Sequence, residues 1–270
     1  MKAKINIFFV IVICISMIIS CQTLTKDVDT EITPEQEYYI GRAVAANILT
    51  TYQLWNEDPE LVSYLNHICA AITINSLRPN VYDGYHVAIL DTNEINAFAT
   101  PGGHIFLTRG IINAAKSEDA LAAIIAHEVA HVQLMHGIKA IKNSRITQPL
   151  SDTDISEDGA AAEANLNQLT DIFNETINEI VQALVKNGYS QSQEFEADNM
   201  AMALMAGAGY NPTGLIELLN ELRTAQTANA GFGITHPTPA QRITNAEKTV
   251  RKYRVADQSS SRQARFPETR

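Results

Sequence analysis

The stretch SEDALAAIIAHEVAHVQLMHG, residues 117–137, decides how this chain is read, and within it the five residues HEVAH at 127–131. Ser117 is placed to cap a helix and Gly137 to end it, while Ala120, Leu121, Ile124 and Ile125 recur at helical spacing. Four residues turn a helix by about 400° and raise it about 6 Å, so His127 and His131 project side by side from adjacent turns. Both imidazoles can then reach one ion at the zinc–nitrogen distance of about 2.0–2.1 Å. Glu128 lies about 100° round from His127, beside such an ion rather than on it. There it can take the proton of a zinc-bound water, whose pKa falls to about 7, as that water attacks a carbonyl. An apolar helix that buried two histidines and a glutamate without a metal would carry a large desolvation cost, so the expectation is a metal site.

Two histidines need a third ligand. The local HExxHxxGxxH pattern fails, because position 134 is Leu and position 137 is Gly. His136 lies about 140° from His131 on a continued helix, which makes it an outer or surface histidine. The segment YSQSQEFEADNMA, 189–201, offers two glutamates, Glu194 and Glu196. Glu194 shares a helical face with Asp198, four residues on, as the two histidines share theirs. A glutamate on the metal with an aspartate accepting the outer N–H of a ligand histidine is a chemically sensible pair. Glu196 points elsewhere and is expected to be solvated or salt-bridged. The pairing favours Glu194, with Glu196 the alternative.

Four stretches in this order, NAFATPGGHIFLTRGII, AHEVAHVQLMHG, YSQSQEFEADNMA and THPTPAQRI, together with EQEYYIGRAVAANI near the start, cover most of residues 33–250. The combination resembles the zinc metallopeptidases that include the CAAX prenyl proteases, HtpX, Oma-type proteases and periplasmic BepA- and LoiP-like proteins. It is most similar to the short lipoprotein members. The resemblance implies a mainly α (α+β) gluzincin-type domain with one zinc per chain. It implies Glu194 as third ligand, beside His127 and His131, with Asp198 behind. It implies that Gly102, Gly103, His104, Ile105 and Phe106 form an edge strand to which a peptide adds by main-chain hydrogen bonds. It brings His236 near the metal, where it can fill the open position and hold the enzyme off. It also makes Arg242 a candidate for stabilising the oxyanion.

Around this centre the chain organises simply. TPEQ at 33–36 is a capping box that starts a helix running to about Thr50, and Asp58-Pro59 starts a second. YHVAIL, 85–90, and HIFLT, 104–108, have strand character, with a Pro-Gly-Gly turn before the second; a small antiparallel sheet is expected. Residues 143–164 read as a flexible loop or lid. Amphipathic helices follow over about 166–184, 193–205 and 212–228. The metallopeptidase domain is expected over 33–255, with a disordered tail over 256–270.

The amino terminus reads as targeting. Lys2 and Lys4 precede an apolar run from Ile5 to Ile19, and Ser20 precedes Cys21. Residues 1–20 are expected to be a lipoprotein signal, Cys21 the lipidated residue and 21–32 a tether, placing the protein in a bacterial envelope, on the periplasmic face of the outer membrane. Cys69 is then the single thiol of the mature domain, on an apolar helical face. Thirty acidic against twenty basic residues, a net charge of −10, argue against a nucleic-acid partner. The absence of a second apolar span argues against prenylated membrane substrates, and the absence of a repeat argues against docking on a barrel-assembly machine. The expected function is a membrane-tethered zinc endopeptidase acting on unfolded or damaged envelope proteins. The alternative is a non-catalytic lipoprotein that holds extended segments in the same cleft, for which an intact Glu128 has no use. Cleavage of cell-wall peptides is a third, weaker option.

Overall fold

The computed structural model describes residues 32–142, 170–225 except 172, 176, 183, 185 and 186, then 236, 239–254 and 257–266. The expected signal, the Cys21 anchor and the 143–164 loop therefore lie outside the described residues.

Helix α1, Pro34–Thr51, begins with the capping box Thr33/Gln36, and α2, Pro59–Thr73, is capped by the Asp58 side chain on the Leu61 amide. Three strands follow: β1 at His86–Leu90, β2 at Ala97–Ala99 and β3 at His104–Thr108. Helix α3, Arg109–Ala114, leads to α4, Glu118–Gln133, which carries HEVAH and is capped by Ser117. Then come α5 at His136–Lys142, helical turns between 170 and 182, α6 at Gln191–Gly207, α7 at Thr213–Ala225, α8 at Pro239–Val250 and α9 at Ser259–Arg265.

The fold is mainly helical as expected, but the sheet is mixed. Its order is β1-β3-β2, with β3 parallel to β1 and antiparallel to β2. The reading of 102–106 as an edge strand is thereby corrected. His104, Ile105 and Phe106 belong to the central strand, paired on both sides, and Gly102 and Gly103 are buried in the turn before it. The outer side of β1 is covered in part by residues 53–55, through the Trp55 amide on the Ile89 carbonyl and the Asp91 amide on the Gln53 carbonyl. β2, the strand packed on α4, has no further strand on its outer side among the described residues.

Side chains alternate across β3 as pleating requires. Ile105 and Leu107 join the core around α2 and α4, while Phe106 joins Val44, Ile48, Phe98, Ile177 and Ile180 on the other face. Helix α4 runs through the middle, buried along nearly its whole length. Its alanines at 122, 123, 126 and 130 let α6, α7 and α2 approach closely.

The first and last described helices both reach this core. α1 presses on the turn at Pro101–Gly103: a Cβ at Gly41 would lie 1.6 Å from the Pro101 carbonyl oxygen. Gly102 adopts φ 77°, with Tyr38 against its Cα. Buried Glu37 accepts from the Gly102 amide and from Arg78, and Arg78 also donates to the Val132 carbonyl, next to His131. Gly41→Ala is therefore expected to cost about 1–3 kcal/mol, the usual range for overpacking, measured as a lowered denaturation midpoint.

The tail corrects the second structural expectation. The described residues from Ile32 onward fall in one compact unit, and the described part of 256–270 carries helix α9 rather than a disordered tail. Arg262 donates to Asp119 and to the Gly209 carbonyl, Arg265 forms a two-point contact with buried Glu118, and Phe266 joins the core. Tyr64 donates to the same Glu118 carboxylate. A polar composition suggested disorder, but these arginines answer two acids in the first turn of α4. The domain thus extends to at least Phe266.

Candidate metal centre

His127 and His131 occupy adjacent turns of α4, with their Nε2 atoms 3.0 Å apart. α6 brings Glu194 across from them: Oε2 is 3.5 Å from His127 Nε2, and Oε1 is 3.5 Å from His131 Nε2. His236, just ahead of α8, sets Nδ1 2.9 Å from both Glu194 oxygens. These four residues form a group whose potential ligand atoms all lie within 4.8 Å of one another, and all four are buried.

The donor set fits zinc. Two ligand atoms each about 2.0–2.1 Å from a tetrahedral ion stand about 3.3 Å apart, close to the separations here. Imidazole nitrogen and carboxylate oxygen are its ordinary partners. Four such donors, buried together and turned towards one another, are the arrangement that an ion would hold. Glu196 is not part of this group.

Behind the ligands the structure is polar and closed. Asp198 Oδ1 lies 3.1 Å from His127 Nδ1, so the carboxylate accepts the outer N–H of that ligand. Arg242 donates to Asp198 through Nε at 2.9 Å and Nη2 at 2.6 Å, and its Nη1 lies 3.2 Å from Glu194 Oε2. One guanidinium thus balances two buried carboxylates.

On the other ligand, His131 Nδ1 is 2.9 Å from His136 Nδ1, and His136 Nε2 is 3.4 Å from Glu196 Oε2. Tyr189 stacks on the His131 ring, with centroids 4.2 Å apart and planes at 15°. The sequence left His136 undecided and gave no sign of Tyr189. Its helix arithmetic assumed that α4 continues to Gly137. Instead α4 stops at Gln133, and Met135 takes a left-handed φ of 56°, which turns His136 back onto His131. No glycine or asparagine marks this turn, so composition could not reveal it.

Charge follows the geometry. Burial alone would push His127 down, with Arg242 adding to it, yet hydrogen bonds to Asp198 and Glu194 carry it up to about 9. Burial dominates at His131, which falls to about 3 and is neutral. Burial opposes ionisation of Glu194, but His236 and Arg242 hold it well below the usual carboxylate range. Asp198 is likewise held low against burial, chiefly by Arg242. Glu128, 2% exposed, is pushed up by burial, although His127 and His236 pull the other way. A carboxylate raised in this way holds a proton more readily than an exposed one, which suits a group that must receive a proton and return it.

His127, Glu128, His131, Glu194, Asp198, His236 and Arg242 are thus brought together. His104, by contrast, sits away from them, its ring near those of Tyr38 and His86. The sequence of residues 57–250 matches the family model described as peptidase family M48. The beta-barrel assembly-enhancing protease of Escherichia coli K12 is 26% identical over 227 residues, which is 81% of this chain and 45% of that protein. The mitochondrial metalloendopeptidase OMA1 of Schizosaccharomyces pombe is 30% identical over 168 residues, 61% of this chain and 46% of the relative. OMA1 of Saccharomyces cerevisiae is 26% identical over 197 residues, 69% and 53%. The chain spans about half the length of the curated relatives it matches.

Proposed function

The chain belongs to peptidase family M48, and from this premise we propose that it is a zinc endopeptidase, tethered to a bacterial envelope membrane, that cleaves unfolded or damaged proteins. The observation that carries the reading is the buried four-donor group with Glu128 beside it on the same helix.

His127, His131 and Glu194 hold the zinc. When bound, the ion supplies Lewis acidity, which polarises a carbonyl and lowers the pKa of water to about 7. Glu128 accepts the proton of the attacking water and returns it to the departing amine, a role its burial-raised pKa suits. Asp198 fixes the His127 ring with Nε2 towards the metal. Arg242 balances the charge of Asp198 and Glu194, and on these contacts we assign it to positioning ahead of oxyanion stabilisation.

An extended substrate pairs with β2 rather than β3. The Thr108 amide donates to the Asn96 carbonyl and the Thr100 amide to the His104 carbonyl, so the main chain of 96, 98 and 100 faces β3. Ala97 and Ala99 therefore turn their main-chain groups away from β3; the Ala97 amide donates to the Asn96 side-chain oxygen, and a paired peptide would use the Ala97 carbonyl and the amide and carbonyl of Ala99.

His236 makes the enzyme latent. Catalytic zinc sites keep one position open, while four protein donors make a closed one. His127, Glu128, His131, Glu194 and His236 are each at most 4% exposed, so a peptide reaches Glu128 only when a segment moves. His236→Ala is expected to keep its zinc and to cleave an unfolded protein such as casein about tenfold faster, the factor that matches about 1.4 kcal/mol of closure energy. Equal or slower cleavage with zinc retained would place His236 in the working site instead of the latch. Binding without cleavage in both His236→Ala and the parent would favour the non-catalytic alternative.

The tether rests on the sequence of residues 1–31. Among the described residues no helix is long and apolar enough to cross a membrane. Acylation of Cys21, read by mass spectrometry of the membrane fraction, tests this part, and loss of the label in Cys21→Ser is the expected control.

A further inference from the structure

The pair His136–Glu196 lies outside the four-donor group, yet it ends on one of its ligands. We infer that His136 and Glu196 are positioning residues for the metal, acting through His131 and placing control of a buried ligand on a surface carboxylate. This rests on the zinc reading given above.

The proton count decides the direction. His131 turns Nε2 to His127 and Glu194, so the lone pair for a metal is on Nε2 and the ring proton is on Nδ1. That N–H donates to His136 Nδ1 at 2.9 Å. His136 must then keep its own proton on Nε2, the atom 3.4 Å from Glu196 Oε2. Three groups thus hold two protons in one consistent order, and the opposite order would take the Nε2 lone pair away from the metal.

His136 is fully buried, while the Glu196 side chain is 57% exposed. The chain accepts a left-handed methionine at 135 to make this contact, a conformation disfavoured for any residue that carries a Cβ. Strain of this kind persists where surrounding structure requires it. Tyr189 stacks on His131 and fixes its plane, but it offers the ring nitrogens no acceptor in that stack. The other ligand, His127, is held by Asp198 and Arg242, both buried. The two imidazoles are therefore steered in different ways, one from the interior and one from the surface.

The full-length protein tests this in two measurements. Zinc affinity is read by competition with a chelator, and ring tautomers by ¹⁵N NMR of histidines in the zinc-free protein. His136→Phe, which keeps a ring but removes the acceptor, is expected to weaken zinc binding about 10–100-fold, the usual effect of losing an outer partner of a ligand. It is also expected to give His131 a mixture of tautomers, which a merely structural role would not produce. Glu196→Gln keeps an oxygen acceptor and should behave as the parent. Glu196→Leu, on the surface and no threat to folding, should weaken zinc binding and shift the His136 signals.

An unchanged affinity and unchanged His131 shifts in His136→Phe would overturn the inference. So would parent protein with the His131 proton on Nε2 or the His136 proton on Nδ1. If the parent binds no zinc, the zinc reading fails while the tautomer measurement still decides the hydrogen-bond order.

Discussion

Glu128→Gln is expected to retain one zinc per chain and to lose about 10²–10⁴ of its cleavage rate, the usual share of a positioned general base. Glutamine keeps the volume and an oxygen but cannot take a proton from water. The variant should also be the more stable form of the zinc-free protein. Burial raises the Glu128 pKa in the folded chain. The neutral acid is therefore favoured in the fold below the unfolded value of about 4.3, and this advantage is lost as pH rises through the higher folded value. Above that range the parent must hold an ionised carboxylate in a buried site, and the glutamine variant need not. Thermal unfolding of both proteins across the acid range should show curves that meet at low pH and separate as pH rises, with the variant above. Unchanged cleavage in Glu128→Gln would remove the proposed mechanism altogether.

Glu194→Ala should have a larger effect on the fold as well as on the metal. The carboxylate is fully buried, and it faces His127, His131, His236 and Arg242. Its loss removes the third ligand and leaves part of a buried guanidinium without its counter-charge. Removing one partner of such a pair costs about 3–5 kcal/mol, which in a domain of this size lowers Tm by about 10 °C. The zinc-free protein should show that loss too, because Arg242 and His236 need the carboxylate whether or not a metal is present. The pH dependence follows from the low pKa of Glu194. Its contribution is present above the unfolded carboxylate value and is lost only as pH falls through the lower folded one. The difference between parent and variant should therefore persist through neutral pH and shrink only in strong acid. Metal analysis after dialysis decides the ligand role: a Glu194→Gln protein that holds zinc as the parent does would move the third ligand elsewhere.

The legible part of this protein was the part built from steps of four. His127 with His131, and Glu194 with Asp198, each lie on one helix, so their relation is fixed by local geometry and survives any tertiary arrangement. What stayed hidden depended on distant partners or unmarked turns. The parallel pairing of His86–Leu90 with His104–Thr108 cannot be inferred from two strand-like runs, and the three residues Ala97–Ala99 are too short to announce themselves as a strand between them. SSSRQAR looks unstructured alone; its order comes from Glu118 and Asp119, more than 140 residues upstream. The metal centre was legible in its ligands and obscure in its surroundings, because Met135 turns the backbone without a residue that signals the turn.

The grip of Arg262 and Arg265 on the start of α4 has a consequence for biosynthesis. The segment bearing HEVAH leaves the ribosome long before those arginines exist. Until residue 265 has been translated, Glu118 lacks its guanidinium partner and Asp119 its own, and the first turn of the central helix has only the Tyr64 hydroxyl and the Asn211 amide on its acids. The final docking step thus waits for nearly the whole domain to be translated. The order in which the residues are made sets the order in which the charges at the head of the central helix are matched.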